Sequence, residues 1–124
     1  MKILVVENEP SESKLVNHVL NASGHNVNSV DAAELVFAAI RTDRPQIILL
    51  DMDLPGMDGL TFVRKLKADQ ETRDIPVVAI TTYPEKFSRS DALQAGCDAY
   101  LRKPVSTRRL PEQLRDVLAK GGGK

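Results

Sequence analysis

The chain has 124 residues, 42% of them hydrophobic and 27% charged, which fits one soluble globular domain and excludes both a disordered chain and a two-core architecture. Lys and Arg equal Asp and Glu at 17 each, so net charge supplies no argument for direct nucleic-acid binding. There is no basic-then-apolar signal segment, and the runs ILVV and IILL are too short to span a bilayer. With its one cysteine, Cys97, unable to form an internal disulfide, the chain reads as a cytoplasmic protein with no membrane partner. Cys97 itself reads as a small buried hydrophobe.

In chain order, Ile3 to Val6 predicts a first strand, and Leu15, Val16, Val19 and Leu20 predict a helix facing the core until Gly24 stops it. A weaker strand over Val27 to Val30 runs into Asp31, which with Glu34 reads as a capping box for a helix carrying Val36, Phe37 and Ile40. Ile47 to Leu50 predicts a third strand, followed by the turn LPGMDG and a helix bearing Leu60, Val63 and Leu66. Val77 to Ile80 predicts a fourth strand and a less distinct helix between Pro84 and Gly96. Ala99 to Arg102 predicts a fifth strand, and Leu110, Leu114, Val117 and Leu118 a closing helix with Pro111 tolerated in its first turn. The domain is expected over 1–120, with GGGK at 121–124 a flexible tail or the start of a linker.

Strict alternation of strands and helices predicts an α/β fold with a parallel sheet covered on both faces, because parallel neighbours need crossovers and crossovers are right-handed. Ligands of such sheets bind beyond the carboxyl ends of the strands. The residues there are Glu7, Asn8 and Glu9 after the first strand, Asp51 and Asp53 after the third, Thr81 and Thr82 after the fourth, and Lys103 and Pro104 after the fifth. Carboxylates gathered at one rim repel one another unless they share a hard cation, and oxygen ligands suit magnesium. A cation, a hydroxyl and an ammonium together neutralise a phosphoryl group passing onto one nucleophilic carboxylate.

Three stretches, IILLDMDLPGMDGL, VVAITT and YLRKP, give the chain a resemblance to the receiver domains of two-component response regulators over Met1 to about Ala119. The resemblance implies a doubly wound, flavodoxin-like sheet in the order 2-1-3-4-5. It implies Asp51 as phosphoacceptor and metal ligand, Asp53 as the position whose backbone carbonyl meets the metal, and Lys103 as the ammonium that pairs first with the acceptor and then with the phosphoryl group. Thr81 matches the switching hydroxyl, Tyr100 the aromatic that turns inward with it, and Pro104 a commonly cis proline. Asp53 and Tyr83 match positions that influence how fast the phosphoryl group is lost.

The implied function is to accept a phosphoryl group on Asp51 from a histidine kinase or histidine phosphotransfer protein and then switch a protein-binding surface. The downstream target is not named by the sequence. The last helix, with Arg108, Arg109 and Arg115, is a candidate partner face and equally a homodimer face.

VVENEP departs from the pattern, since most members carry two acids where this chain has Glu7 and Asn8. Glu7, Asn8, Asp51 and Asp53 are then the expected Mg2+ ligands, with affinity weakened at Asn8. A carboxylate about 4 Å from a divalent ion contributes several kcal/mol at an effective dielectric near 20 before desolvation, and losing even a third of that lowers affinity by about tenfold or more. Glu9 is the residue that could compensate. One alternative is therefore a receiver-like docking module independent of phosphorylation. Another class is a haloacid-dehalogenase-like phosphohydrolase using Asp51 and Asp53, since LLDMDLP also resembles that nucleophile motif. His18 and His25 have no second ligand at metal spacing.

Overall fold

A computed structural model describes residues 1–121. Five strands, β1 (Lys2–Val6), β2 (Asn26–Val30), β3 (Ile47–Asp51), β4 (Val77–Thr81) and β5 (Ala99–Arg102), alternate with α1 (Pro10–Ala22), α2 (Val36–Thr42), α3 (Gly59–Ala68), α4 (Arg89–Ala95) and α5 (Leu110–Gly121). All neighbouring strands pair in parallel, and the spatial order β2-β1-β3-β4-β5 is the one the resemblance implies.

The apolar strands sort their side chains by the two-residue period of extended chain. Ile3, Val5, Ile47, Leu49, Val78 and Ile80 pack on one face against Val16 and Leu20 of α1 and Leu110 and Leu114 of α5. Leu4, Val6, Ile48, Leu50, Val77 and Ala79 pack on the other against α2, α3 and α4 through Val36, Ile40, Phe62, Val63, Leu66 and Ala92. Each such aliphatic side chain contributes about 1.5–3 kcal/mol by leaving water, which is why β3 and β4, buried at every position, form the middle of the sheet. Register then aligns the strand ends. Val6 lies opposite Leu50, Asp51 opposite Ile80 and Thr81 opposite Arg102, so Glu7, Asp51, Thr81 and Lys103 emerge along one rim.

Two glycines shape the loop after β3. Gly56 has φ +73°, a left-handed conformation that side chains other than glycine rarely adopt. A Cβ on Gly59 would meet Met52 Cε at 2.9 Å, so its absence lets α3 start hard against the buried Met52. The helix itself begins with Asp58, whose carboxylate accepts from the Leu60 N–H at 3.1 Å.

Several expectations need correction. Leu15 is 50% exposed, because Val16 and Leu20 already fill the stripe that α1 turns to the sheet. The Asp31–Glu34 capping box does not form. A 3₁₀ turn (Ala33–Leu35) begins there with Ala32 as its N-cap and no side-chain cap bond, leaving Asp31 one residue too early to reach the free N–H groups. The helix before Gly96 is also short: Lys86 and Phe87 close a turn onto the Tyr83 carbonyl, and α4 starts only where Ser88 caps Asp91 N–H at 3.1 Å. Cys97 is buried as expected, and burial pushes its thiol up to about 12. Of the predicted tail, Gly121 ends α5 and residues 122–124 lie outside the described residues.

Candidate functional site

Glu7 leaves β1 with its backbone N–H bonded to the Val30 carbonyl at 3.0 Å, which carries the strand direction one residue further and holds the Glu7 side chain at the rim. Glu7 is 7% exposed and Asp51, the last residue of β3, 3%. Between them lies the Lys103 ammonium, 3.0 Å from Glu7 Oε1, 3.2 Å from Asp51 Oδ2 and 2.7 Å from Glu12 Oε2. Lys103 follows β5, where its N–H bonds the Thr81 carbonyl at 2.9 Å and its peptide bond to Pro104 is cis. The other Asp51 oxygen, Oδ1, accepts from the Asp53 N–H at 2.8 Å.

One ammonium does not cancel this much negative charge. Burial, followed by the neighbouring Asp51 carboxylate, pushes the Glu7 carboxyl up to about 8 against the pull of Lys103 and the Glu9 N–H. Burial works against the Lys103 ammonium, yet Glu12, Glu7 and Asp51 outweigh it and hold its pKa above the ordinary lysine value. The raised Glu7 carboxyl marks a pocket with more negative charge than one ammonium offsets, the condition a hard cation relieves.

The β4 side is organised differently. The Thr81 hydroxyl donates to Asp53 Oδ1 at 2.7 Å and accepts from the Tyr83 N–H at 3.0 Å, while the Thr82 N–H donates to Asp53 Oδ2 at 2.8 Å. Both Asp53 oxygens are thus engaged at the end of β4. Thr81 is fully buried, and Tyr83 is exposed. Tyr100 points inward, and its hydroxyl donates to the Phe87 carbonyl; burial raises its pKa.

The structure brings together Glu7, Asp51, Asp53, Thr81 and Lys103, as expected from the strand ends. Asn8 is exposed beside them and lines a groove of about 410 Å³ with Glu7, Lys14 and Asp31. Glu9 does not lean in. It is exposed and accepts from the Ser11 hydroxyl at 3.0 Å. The residue that sequence reasoning missed is Glu12. Its only signal was position, in the first turn of a helix that follows the rim loop.

The donor set fits magnesium by chemistry. It consists of oxygen ligands carrying more negative charge than Lys103 balances, which is what a hard cation selects. It is short by one carboxylate, and among the described residues no group of three or more His, Cys, Asp or Glu is arranged to hold a metal ion. His18 is exposed, and His25 Nδ1 faces the Met1 amino group at 3.1 Å.

The chain is similar to known proteins over nearly its whole length. The family model described as the response regulator receiver domain matches residues 3–115. The polar-differentiation response regulator DivK of Brucella anthropi is 35% identical over 120 residues, covering 94% of each chain. The phosphate regulon transcriptional regulatory protein PhoB of Pseudomonas aeruginosa is 33% identical across 97% of this chain and 52% of its own length. The chemotaxis response regulator CheY4 of Vibrio cholerae superposes with a TM-score of 0.83 at 27% identity, covering 94% of this chain and 98% of its own. A rim of acids, hydroxyl and lysine on this fold, matched by a family model over nearly the whole chain, leads to one conclusion: the chain belongs to the response regulator receiver domain family of two-component systems.

Proposed function

We propose that Asp51 takes a phosphoryl group from a phosphohistidine on a histidine kinase or histidine phosphotransfer protein. Receiver domains are signalling domains that work with such donors and bind Mg2+ at their acidic pocket; the particular residues and partners are this chain's own question. The observation that carries the reading is the buried Asp51 carboxylate with Lys103 Nζ 3.2 Å from one oxygen and the Asp53 N–H 2.8 Å from the other. In the transfer, a bond forms between an Asp51 oxygen and phosphorus as the donor's phosphorus–nitrogen bond breaks. The leaving imidazole keeps the electron pair and takes a proton.

Lys103 then turns an N–H from Asp51 to a phosphoryl oxygen, where preorganised positive charge counts for most. Glu7, Asn8, Asp51 and the Asp53 carbonyl would hold Mg2+, which supplies further charge neutralisation when bound. Thr81 must release Asp53 before its hydroxyl can donate to the phosphoryl group. Tyr100 couples that change to a groove of about 620 Å³ that it lines with Arg89, Arg109, Asp116 and Lys120, the face proposed for the downstream protein or for a second copy.

Treatment with acetyl phosphate and magnesium, followed by intact-mass measurement, tests the reading. One phosphoryl group is expected on the wild type and none on Asp51→Asn; an unlabelled wild type would leave the docking-module reading standing. A phosphohydrolase needs the Asp53 carboxylate available for acid–base work, whereas Thr81 and Thr82 occupy both its oxygens. Sustained turnover of a generic phosphomonoester would overturn the receiver reading in favour of that enzyme.

A further inference from the structure

A lysine ammonium has three N–H donors and no acceptor, and the Lys103 ammonium faces three carboxylate oxygens: Glu12 Oε2 at 2.7 Å, Glu7 Oε1 at 3.0 Å and Asp51 Oδ2 at 3.2 Å. The Lys103 side chain is 12% exposed, so water has little access and the acids set the direction of the ammonium. Two of them, Glu7 and Asp51, belong to the buried rim. Glu12 reaches in from the first turn of α1, 91 residues away in sequence, with its side chain 44% exposed.

We propose that Glu12 is a positioning residue for phosphoryl transfer: it orients the Lys103 ammonium so that one N–H is left for Asp51 and then for the phosphoryl oxygen. The proposal rests on the receiver reading above. The shortest of the three contacts is the one to Glu12. Glu7 alone leaves the ammonium free to rotate about its contact, because one acceptor fixes one N–H direction and leaves the other two undetermined. With Glu12 in place two donors are committed, and the geometry of the ammonium directs the third toward Asp51. As the Asp51 oxygen becomes bonded to phosphorus, the third donor transfers to a phosphoryl oxygen while Glu12 and Glu7 keep theirs. Glu12 touches no reacting atom and acts through Lys103.

The test compares wild type, Glu12→Ala and Glu12→Gln of the full chain. Labelling of Asp51 by acetyl phosphate is followed by intact mass, and the Lys103 ammonium by ¹H–¹⁵N NMR at low temperature. Glu12→Ala is expected to slow labelling about threefold, the scale of a partly exposed ion pair, with the donor concentration for half-maximal rate unchanged. Glu12→Gln, which keeps an oxygen acceptor without charge, is expected to recover most of the rate. The slowly exchanging ammonium signal is expected in wild type and Glu12→Gln and lost in Glu12→Ala. Wild-type labelling and an unchanged ammonium signal in Glu12→Ala would overturn the proposal. So would Glu12→Gln behaving like Glu12→Ala, since charge and not orientation would then be the cause. If Glu12→Ala fails to fold, Glu12→Leu takes its place: slowed labelling and a lost ammonium signal are expected, and wild-type behaviour in both would overturn the proposal. An unlabelled wild type would refute the receiver reading, while the ammonium signals would still judge the role of Glu12.

Discussion

Asp51 is flanked by two regions built on different physics. Toward β1 and β5, Glu7, Glu12 and Lys103 surround it with formal charge, and both Glu7 and Asp51 are buried. Toward β4, Asp53 is held by a hydroxyl and a backbone N–H. A buried charge cluster resists rearrangement, because a charge that loses its partner in low dielectric costs several kcal/mol. A hydroxyl exchanges one acceptor for another at about 1–3 kcal/mol. On the proposed reading, chemistry falls to the first region and switching to the second, whose hydroxyl changes partners at lower cost.

The comparison breaks first at Lys103. Lys103→Met leaves Glu7 and Asp51 without their cation, and labelling by acetyl phosphate is expected to fall about 100-fold, the scale seen when a preorganised transition-state donor is removed. A fall of less than about threefold would remove Lys103 from the chemistry. The charge on the same side is next. Asn8→Asp restores a carboxylate beside Glu7 and is expected to raise magnesium affinity about tenfold, measured by NMR or tyrosine-fluorescence titration. Equal affinities would show that Asn8 is not why the metal site is short of charge.

On the switching side, Asp53→Ala frees the Thr81 hydroxyl. A shift of roughly tenfold toward the phosphorylated arrangement is expected from the loss of one charged hydrogen bond, read from the Tyr100 ring signals of the labelled protein. An unchanged population would mean that the Asp53–Thr81 bond does not oppose the switch.

The charged side also sets how stability depends on pH. The Glu7 carboxyl moves from 4.5 to about 8 on folding, so between those values the folded chain binds more protons than the unfolded one. Stability without divalent cations is therefore highest below pH 4.5 as far as Glu7 is concerned. It falls as pH rises through the window and levels off above about 8, with a slope of at most about 1.4 kcal/mol per pH unit. Thermal unfolding of Glu7→Gln is expected to lack this slope, and saturating magnesium to flatten it in the wild type.

Much of the site was legible because strand ends in an alternating α/β chain must converge. Asp51, Thr81 and Lys103 each follow an apolar run, and parallel register brings such positions to one rim whatever the helices do. Glu12 was not legible, since a residue in the first turn of a helix faces the rim or solvent according to how that helix docks. The Asp53 position is legible as one that influences phosphoryl loss, but the capture of its carboxylate by Thr81 and Thr82 depends on the end of β4, 28 residues further on.

What the sequence by itself determined is what short-range geometry controls. The two-residue period of apolar runs and the helical spacing of Val16, Leu20, Leu110 and Leu114 are properties of the chain within a few residues, and they name the strands, the helices and the strand-end side chains. Only the tertiary structure decided that Leu15 faces water, that Asp31 misses its cap, that Asn8 stays outside the carboxylate cluster and that Glu12 joins Lys103. These outcomes depend on the angle at which each helix settles on the sheet. That angle is set by the sum of many packing contacts between segments far apart in the chain, and no local pattern contains it.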